Sequence, residues 1–251
     1  MGNITHLTKL AVGNTATIYL HNNQIVKVFH DYFTVSDAKY EASKQMEAYS
    51  NGLPVPKIIE VTSLDGKPAI MMEYISGKTL GELMLADTGN AAHFIESAVD
   101  IQLKIHSIKA DSLELMTSKL RRQILSAEKL NDYQKTNLIE KMNDMTFDNR
   151  LCHGDFHVFN LIQKDDRVVI IDWVDSSSGD IRADVYRTYL LYSQHYPEIA
   201  ELYVKLYCEK SGVSKEEIFA WAPIVAGARL AEIVPTEDAN RLLEIVGHST
   251  N

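Results

Sequence analysis

The segment His153-Gly154-Asp155-Phe156-His157-Val158-Phe159-Asn160 is followed, after a short gap, by Val168-Val169-Ile170-Ile171-Asp172-Trp173. An aspartate is thus followed five residues later by an asparagine, and twelve residues after that by a second aspartate. The second aspartate ends a run of four β-branched apolar residues, which places it at the end of a buried strand. One carboxylate to orient a hydroxyl proton and two side-chain oxygens for a hard cation are what phosphoryl transfer from a Mg²⁺-bound nucleotide to an alcohol requires. Asp155 is therefore the candidate catalytic residue, and Asn160 and Asp172 are the candidate metal ligands. Gly154 permits a tight backbone turn beside the base, and His153 reads as an anchor of that loop.

A nucleotide also needs a cation on its phosphates. Lys27 alternates with apolar residues in Ile25-Val26-Lys27-Val28-Phe29. A lysine so placed can contact the α- and β-phosphates if a glutamate from a neighbouring helix holds it. Glu41 and Glu47 are both available for that role. Gly13-Asn14-Thr15-Ala16 lies between two apolar runs and could fold its backbone over the phosphates, although it carries one glycine rather than three. Beyond the metal aspartate, Asp180 reads as a helix N-cap, Asp184 as a brace for the catalytic loop and Asp175 as a candidate acceptor contact. His106 and His157 read as structural.

The elements that position these residues follow from turn and period signals. Leu7 to Val12, Ala16 to Leu20 and Gln24 to Phe29 predict a strand meander, with a turn at His21-Asn22-Asn23. Ser36 is a candidate cap for a helix running to about Tyr49 and stopped by Asn51-Gly52. Lys57 to Thr62 and Pro68 to Tyr74 predict a hairpin around Asp65-Gly66. After Thr79 the pattern turns helical. Ala91 to Ile108 carries Ala98, Ile101, Ile105 and Ile108 on one face, and 113–144 predicts one or two polar helices. Leu161-Ile162 and Val168 to Ile171 predict short strands, and 181–251 three or four helices. This order predicts a small β-rich N-lobe (1–75) joined near Glu73-Tyr74-Ile75-Ser76-Gly77 to a larger, mainly helical C-lobe (76–251).

The bulk composition is that of an ordinary globular protein: 251 residues, 45% hydrophobic and 24% charged. The net charge of −9 argues against nucleic acid and acidic membranes as partners and suits a cationic small substrate. Cys152 and Cys208 form neither a disulfide framework nor a zinc pattern, and Cys152 reads as a buried small apolar residue. No leader-like segment or long apolar run is present, so the expected location is the cytoplasm.

Taken together, these residues resemble the aminoglycoside phosphotransferase and choline kinase-like enzymes, over about residues 7–190. His153-Gly154-Asp155 is similar to that family's catalytic loop, Asn160 to its metal-binding asparagine and Ile171-Asp172-Trp173 to its Ile-Asp-Trp segment. Tyr40-Glu41-Ala42 with Gly52-Leu53-Pro54-Val55-Pro56 resembles its Arg-Glu-Ala helix and following link, which selects Glu41 over Glu47 as the partner of Lys27. Met72 to Leu80 resembles its interlobe hinge, whose backbone holds the nucleobase, so Glu73 and Tyr74 are implied nucleotide contacts. Val158-Phe159 departs from the usual Pro-Gly, and Val174 stands where glutamate is common.

The resemblance implies an α+β, protein-kinase-like bilobal fold, Mg²⁺, and ATP or GTP as phosphoryl donor. It implies a small hydroxylated acceptor, with an aminoglycoside-type antibiotic as a leading candidate. Choline, a ribose derivative, homoserine or a ketosamine remain open. A protein acceptor is disfavoured, because the stretch between Asp172 and Asp180 is too short for an activation loop. A non-catalytic nucleotide-binding module and a structural protein of kinase-like shape are the readings from other classes.

Overall fold

The computed structural model describes residues 7–13, 15–232, 234 and 236–247. In chain order the elements are β1 (Thr8–Val12), β2 (Ala16–His21), β3 (Gln24–Phe29), α1 (Val35–Ser50), β4 (Ile58–Leu64), β5 (Lys67–Glu73), β6 (Lys78–Thr79) and α2 (Leu80–Ala86). There follow α3 (Ala91–His106), α4 (Met116–Ser126), α5 (Asp132–Asn143), β7 (Arg150–Cys152), β8 (Leu161–Lys164), β9 (Arg167–Ile170) and β10 (Ser177–Gly179). The chain continues with α6 (Ile181–Ser193), α7 (Pro197–Ser211), α8 (Lys215–Phe219), α9 (Ala222–Arg229) and α10 (Ala239–Gly247). Among the described residues five helices thus follow β10, where three or four were expected.

The chain divides into two compact units, one comprising the described residues of Met1–Leu83 with Phe159–Val174, the other Met84–Val158 with Asp175–Asn251. A cut after residue 75 does not describe this division. β6 pairs with β8 (Lys78↔Gln163), β8 pairs with β9 (Leu161↔Ile170), and the Ile170 amide donates to the Pro54 carbonyl at 2.8 Å. Backbone hydrogen bonds therefore tie residues 78–79 and 161–170 to the first unit, whatever their place in the sequence.

The first unit is built on an antiparallel sheet in the order β1-β2-β3-β5-β4. Asn22 and Asn23 both adopt positive φ (46° and 60°), as do Asp65 and Gly66 (47° and 79°). Two successive left-handed residues give the tight turns whose twist matches a hairpin. The cap of α1 comes earlier than expected. Thr34, not Ser36, is the N-cap, and it forms a reciprocal box with Asp37. The period of two divides β3 between two cores. Val26 and Val28 pack with Ala69 on one face, while Phe29 packs with Ala38 and Ala42 of α1 and Ile70 of β5 on the other. Lys27 shares the face of Phe29, so the lysine is directed to the α1 side.

In the second unit α6 packs on α7, α3 on α7 and α4 on α9. β7 and β10 form a two-stranded ladder with Cys152 opposite Ser177. Trp221, Tyr203 and Tyr207 are completely buried in this unit. Asp180 caps α6 by accepting the Arg182 amide at 2.8 Å, and it also accepts the Trp221 indole N–H at 2.9 Å. The buried carboxylate thereby sets where α6 starts and hence the height of Asp184 and Arg187 on it.

Candidate active site

In the first unit Lys27 Nζ donates to Glu41 Oε1 at 2.5 Å. The helical period explains the choice of glutamate. Ala38, Glu41, Gln45 and Ala48 follow one another at spacings of three and four, so Glu41 lies on the stripe that α1 buries. Glu47 instead accepts from the Asn51 side chain at 3.0 Å on the exposed side. Burial pushes the Glu41 carboxyl up, and the Lys27 charge only partly offsets this. Gln45 on the same stripe donates to the Pro56 carbonyl at 2.7 Å, which fixes the segment after α1.

Lys27 and Glu41 line a cavity of about 280 Å³ within the first unit, together with Glu73, Tyr74 and Asp172. Its remaining walls are mainly apolar: Ile18, Ile25, Met72, Ile75, Ile162, Ile171 and Trp173. An apolar slot with a charged end suits a planar base and its phosphates. The isoleucines were not singled out from the sequence, because an apolar strand residue that lines a cavity has the same pattern as one in a core. Gly13 and Thr15 join β1 to β2, where the Gly13 amide donates to Ala16 and the Thr15 carbonyl accepts from His30. Neither lines this cavity, and Asn14 lies outside the described residues.

Asn160 and Asp172 sit at the open end of the β8–β9 hairpin. Leu161 pairs with Ile170, and the Ile171 amide donates to the Asn160 carbonyl at 3.0 Å. One ladder therefore sets both residues. Asp172 has φ +64°, a left-handed conformation that a non-glycine residue adopts at a cost and that concentrates at functional sites. Lys44, buried on α1, donates to the Val174 carbonyl at 2.6 Å and tethers the strand just past Asp172. Its position three residues after Glu41 is the signal that sequence reading passed over. A carboxylate and an amide oxygen are hard donors and suit Mg²⁺, which takes few protein ligands and completes its shell with phosphate and water oxygens.

In the second unit Gly154 has φ +81°, and a Cβ there would lie 2.3 Å from the Asp175 carbonyl oxygen. Only glycine fits. The loop is held from below by Asp184, which accepts the Gly154 amide at 2.7 Å and the His153 amide at 3.3 Å. Asp184 also accepts from Gln102 at 3.1 Å and pairs with His106 Nε2 at 3.0 Å, while His106 Nδ1 meets the Tyr207 hydroxyl at 2.7 Å. His106 is thus structural, and Asp184 is the expected brace. Buried Cys152 precedes the loop, and desolvation pushes its thiol well up, which disfavours the thiolate.

The Asp155 carboxylate lies 3.5 Å from His157 Nε2 and 3.8 Å from Arg187 Nη2. Burial opposes its ionisation, but His157, Arg187 and His153 together outweigh that and hold its carboxyl well below the usual range. Asp155 is therefore held in its anionic form. Asp175 pairs with Lys119 at 2.6 Å, and Arg187 pairs with Glu232 at 2.9 Å. Arg187, Lys119 and Glu232 were not singled out from the sequence. The available signal was the three-residue spacing of Asp184 and Arg187, which puts both on one side of α6.

A family model described as the phosphotransferase enzyme family matches residues 6–224. Among solved structures, a choline/ethanolamine kinase family protein from Mesorhizobium loti is similar at 16% identity and TM-score 0.63, over 99% of this chain and 87% of that one. Aminoglycoside phosphotransferase APH(2'')-Ib, ADP-bound, is similar at 17% identity and TM-score 0.64, over 97% and 91%. A thermostable mutant of aminoglycoside phosphotransferase APH(4)-Ia, in ternary complex with AMP-PNP and hygromycin B, is similar at 13% identity and TM-score 0.70, over 98% and 95%. No curated protein matches the chain. At these identities the likeness establishes the fold, which is α+β and protein-kinase-like.

Proposed function

Because the chain belongs to the phosphotransferase enzyme family, we propose that it transfers the γ-phosphoryl group of ATP or GTP to a hydroxyl of a small molecule. The observation that carries this reading is the shared position of four groups in the first unit. Lys27, Glu41 and Asp172 line one cavity, and Asn160 is bonded through its backbone to the residue before Asp172.

Lys27, held by Glu41, would hold the α- and β-phosphates, and Asn160 and Asp172 would hold Mg²⁺. Mg²⁺, when bound there, would supply positive charge that offsets the charge of the phosphates. Glu73 and Tyr74 would flank the nucleobase. Asp155 would accept a hydrogen bond from the acceptor hydroxyl and aim its oxygen in line with the γ-phosphorus. The new bond joins that oxygen to phosphorus, the bond to the β–γ bridging oxygen breaks, and the hydroxyl proton leaves by way of Asp155. The low affinity of Asp155 for protons suits a loose transition state, in which the proton is lost late and positioning does most of the work.

The acceptor falls within the class of small hydroxylated compounds, which spans aminoglycoside-type antibiotics and metabolites such as choline, a ribose derivative, homoserine or a ketosamine. Hygromycin B in the APH(4)-Ia complex supports that class. A cytoplasmic location goes with this substrate class, and no described helix is long and apolar enough to cross a membrane.

Calorimetric titration of ATP and GTP with and without Mg²⁺ tests the nucleotide half of the proposal. Tight binding that requires Mg²⁺ and is lost in Asp172→Ala supports it. Binding that ignores both the metal and Asp172 overturns the metal assignment.

A further inference from the structure

Beside the loop that carries Asp155, the second unit holds a small cavity of about 40 Å³ bordered by Gly154, Lys119, Asp175, Arg187, Arg229 and Glu232. Every cation around it already has a carboxylate partner. Lys119 lies 2.6 Å from Asp175, Arg187 lies 2.9 Å from Glu232, and Arg229 lies 2.9 Å from Glu237 and is also paired with Glu232. Asp184, which also borders the cavity, is used by two loop amides, Gln102 and His106. No carboxylate here awaits an ammonium group. A polycationic acceptor would have to compete with these pairs for their carboxylates. A free carboxylate on the acceptor meets the same obstacle from the other sign.

What the lining offers is hydrogen bonding without net charge. Arg187 is 8% exposed, and its Nε is buried without a partner. That N–H suits a neutral oxygen, which accepts one hydrogen bond and leaves the surrounding ion pairs intact. The space available, about 40 Å³ against the roughly 10–15 Å³ that one water needs, admits a group of hydroxymethyl size.

The geometry points to an uncharged polyhydroxylated acceptor, of the sugar or cyclitol class, that presents an oxygen to Arg187 while its reacting hydroxyl meets Asp155. The inference rests on the proposed role of Asp155 and narrows the acceptor class against polycations.

Nucleotide-dependent ADP or GDP release is measured with three acceptor sets: uncharged sugars and cyclitols, zwitterionic hydroxy-amino acids, and aminoglycosides, each at low and at physiological salt. The uncharged set is expected to stimulate release, with acceptor KM constant within about twofold between the two salts, since no charge is exchanged with solvent. Arg187→Lys keeps the charge but removes the Nε donor. It is expected to raise acceptor KM about tenfold, with the nucleotide KM unchanged and the thermal midpoint confirming a folded protein. Stimulation by aminoglycosides with steep salt dependence, no stimulation by any uncharged polyol, or an unchanged acceptor KM in Arg187→Lys each overturns the inference. Mg²⁺-nucleotide binding, measured separately, reports on the kinase reading itself, so the two failures are distinguishable.

Discussion

The Ile171 amide donates to the Asn160 carbonyl at 3.0 Å. The two residues expected to hold Mg²⁺ are therefore set by one hairpin rather than by two independent loops. Their separation depends on the register Leu161↔Ile170, and a slip of one residue would turn both side chains to the other face.

The strain at Asp172 gives a way to separate folding from chemistry. A left-handed non-glycine residue costs about 1 kcal/mol or more, and glycine removes that cost while adding chain entropy of about 0.5–1 kcal/mol. Asp172→Gly is expected to unfold in urea within about 1 kcal/mol of the parent. On the proposed role its phosphoryl transfer is expected to fall at least about a thousandfold, because a metal held by Asp172 would contribute several kcal/mol to the transition state. A glycine variant with parental turnover would overturn the proposed assignment of Asp172 as a metal ligand.

Phe159 departs from the Pro-Gly that the resemblance leads one to expect, and the structure shows what accommodates it. A Cβ on Gly81 would lie 2.5 Å from the Phe159 ring, so the ring rests on the bare backbone at the start of α2. Phe159 immediately precedes Asn160, and Gly81→Ala is expected to destabilise the protein by about 1–3 kcal/mol through overpacking and to weaken Mg²⁺-nucleotide binding. Adding Phe159→Gly to Gly81→Ala is expected to restore most of both losses, as contacting residues are non-additive. Calorimetry on the two single variants and the double variant gives the coupling directly.

Much of the fold and of the candidate site was legible in the sequence. The hairpin turns at Asn22-Asn23 and Asp65-Gly66 and the strands around them follow from local chemistry, because left-handed turn residues and period-two alternation act within a few residues. Asp155, Asn160, Asp172 and Lys27 stood out because polar residues interrupt apolar strands or follow them at fixed spacing. The division of the chain was not legible. Whether 159–174 joins the sheet unit depends on non-local bonds such as Ile170 to Pro54. The start of α1 went to Thr34 rather than Ser36 because the box with Asp37 satisfies two amides at once. The charged lining of the small cavity was hidden because Lys119, Arg187 and Glu232 come from distant segments and each looks like a surface residue in its own window.

Asp184 couples loop geometry to pH. Burial opposes its charge, but His106 and the Gly154 amide overcome this, so its folded-state pKa lies below the unfolded value near about 3.9. Between the two values the unfolded chain binds more protons, so stability rises with pH there. The contribution is complete above the ordinary carboxylate range and is lost as pH falls from about 4 toward the depressed value. Asp184→Asn is expected to be less stable at neutral pH and to show a flatter acid limb. Urea midpoints across that acid range check both, and an unchanged limb would mean that Asp184 does not carry the effect.

Cys152 should be inert in the folded protein. Cys152 is completely buried and its thiol is pushed well up, and burial also raises Cys208. Treatment of the native protein with an alkylating reagent is expected to leave activity intact, with labelling of Cys152 appearing only on unfolding. Rapid loss of activity together with modification of Cys152 would give the thiol a part in the reaction.

Acceptor-stimulated, Mg²⁺-dependent ADP or GDP release by the parent protein and by Asp155→Ala, on preparations shown to bind Mg²⁺-nucleotide equally, tests the central claim most directly. Stimulated release in the parent that falls at least about a hundredfold in the variant, the range expected for loss of a group that orients the hydroxyl proton, is the predicted result. Release that persists near the parental rate in Asp155→Ala would contradict the assignment of Asp155 and, with it, the proposed transfer.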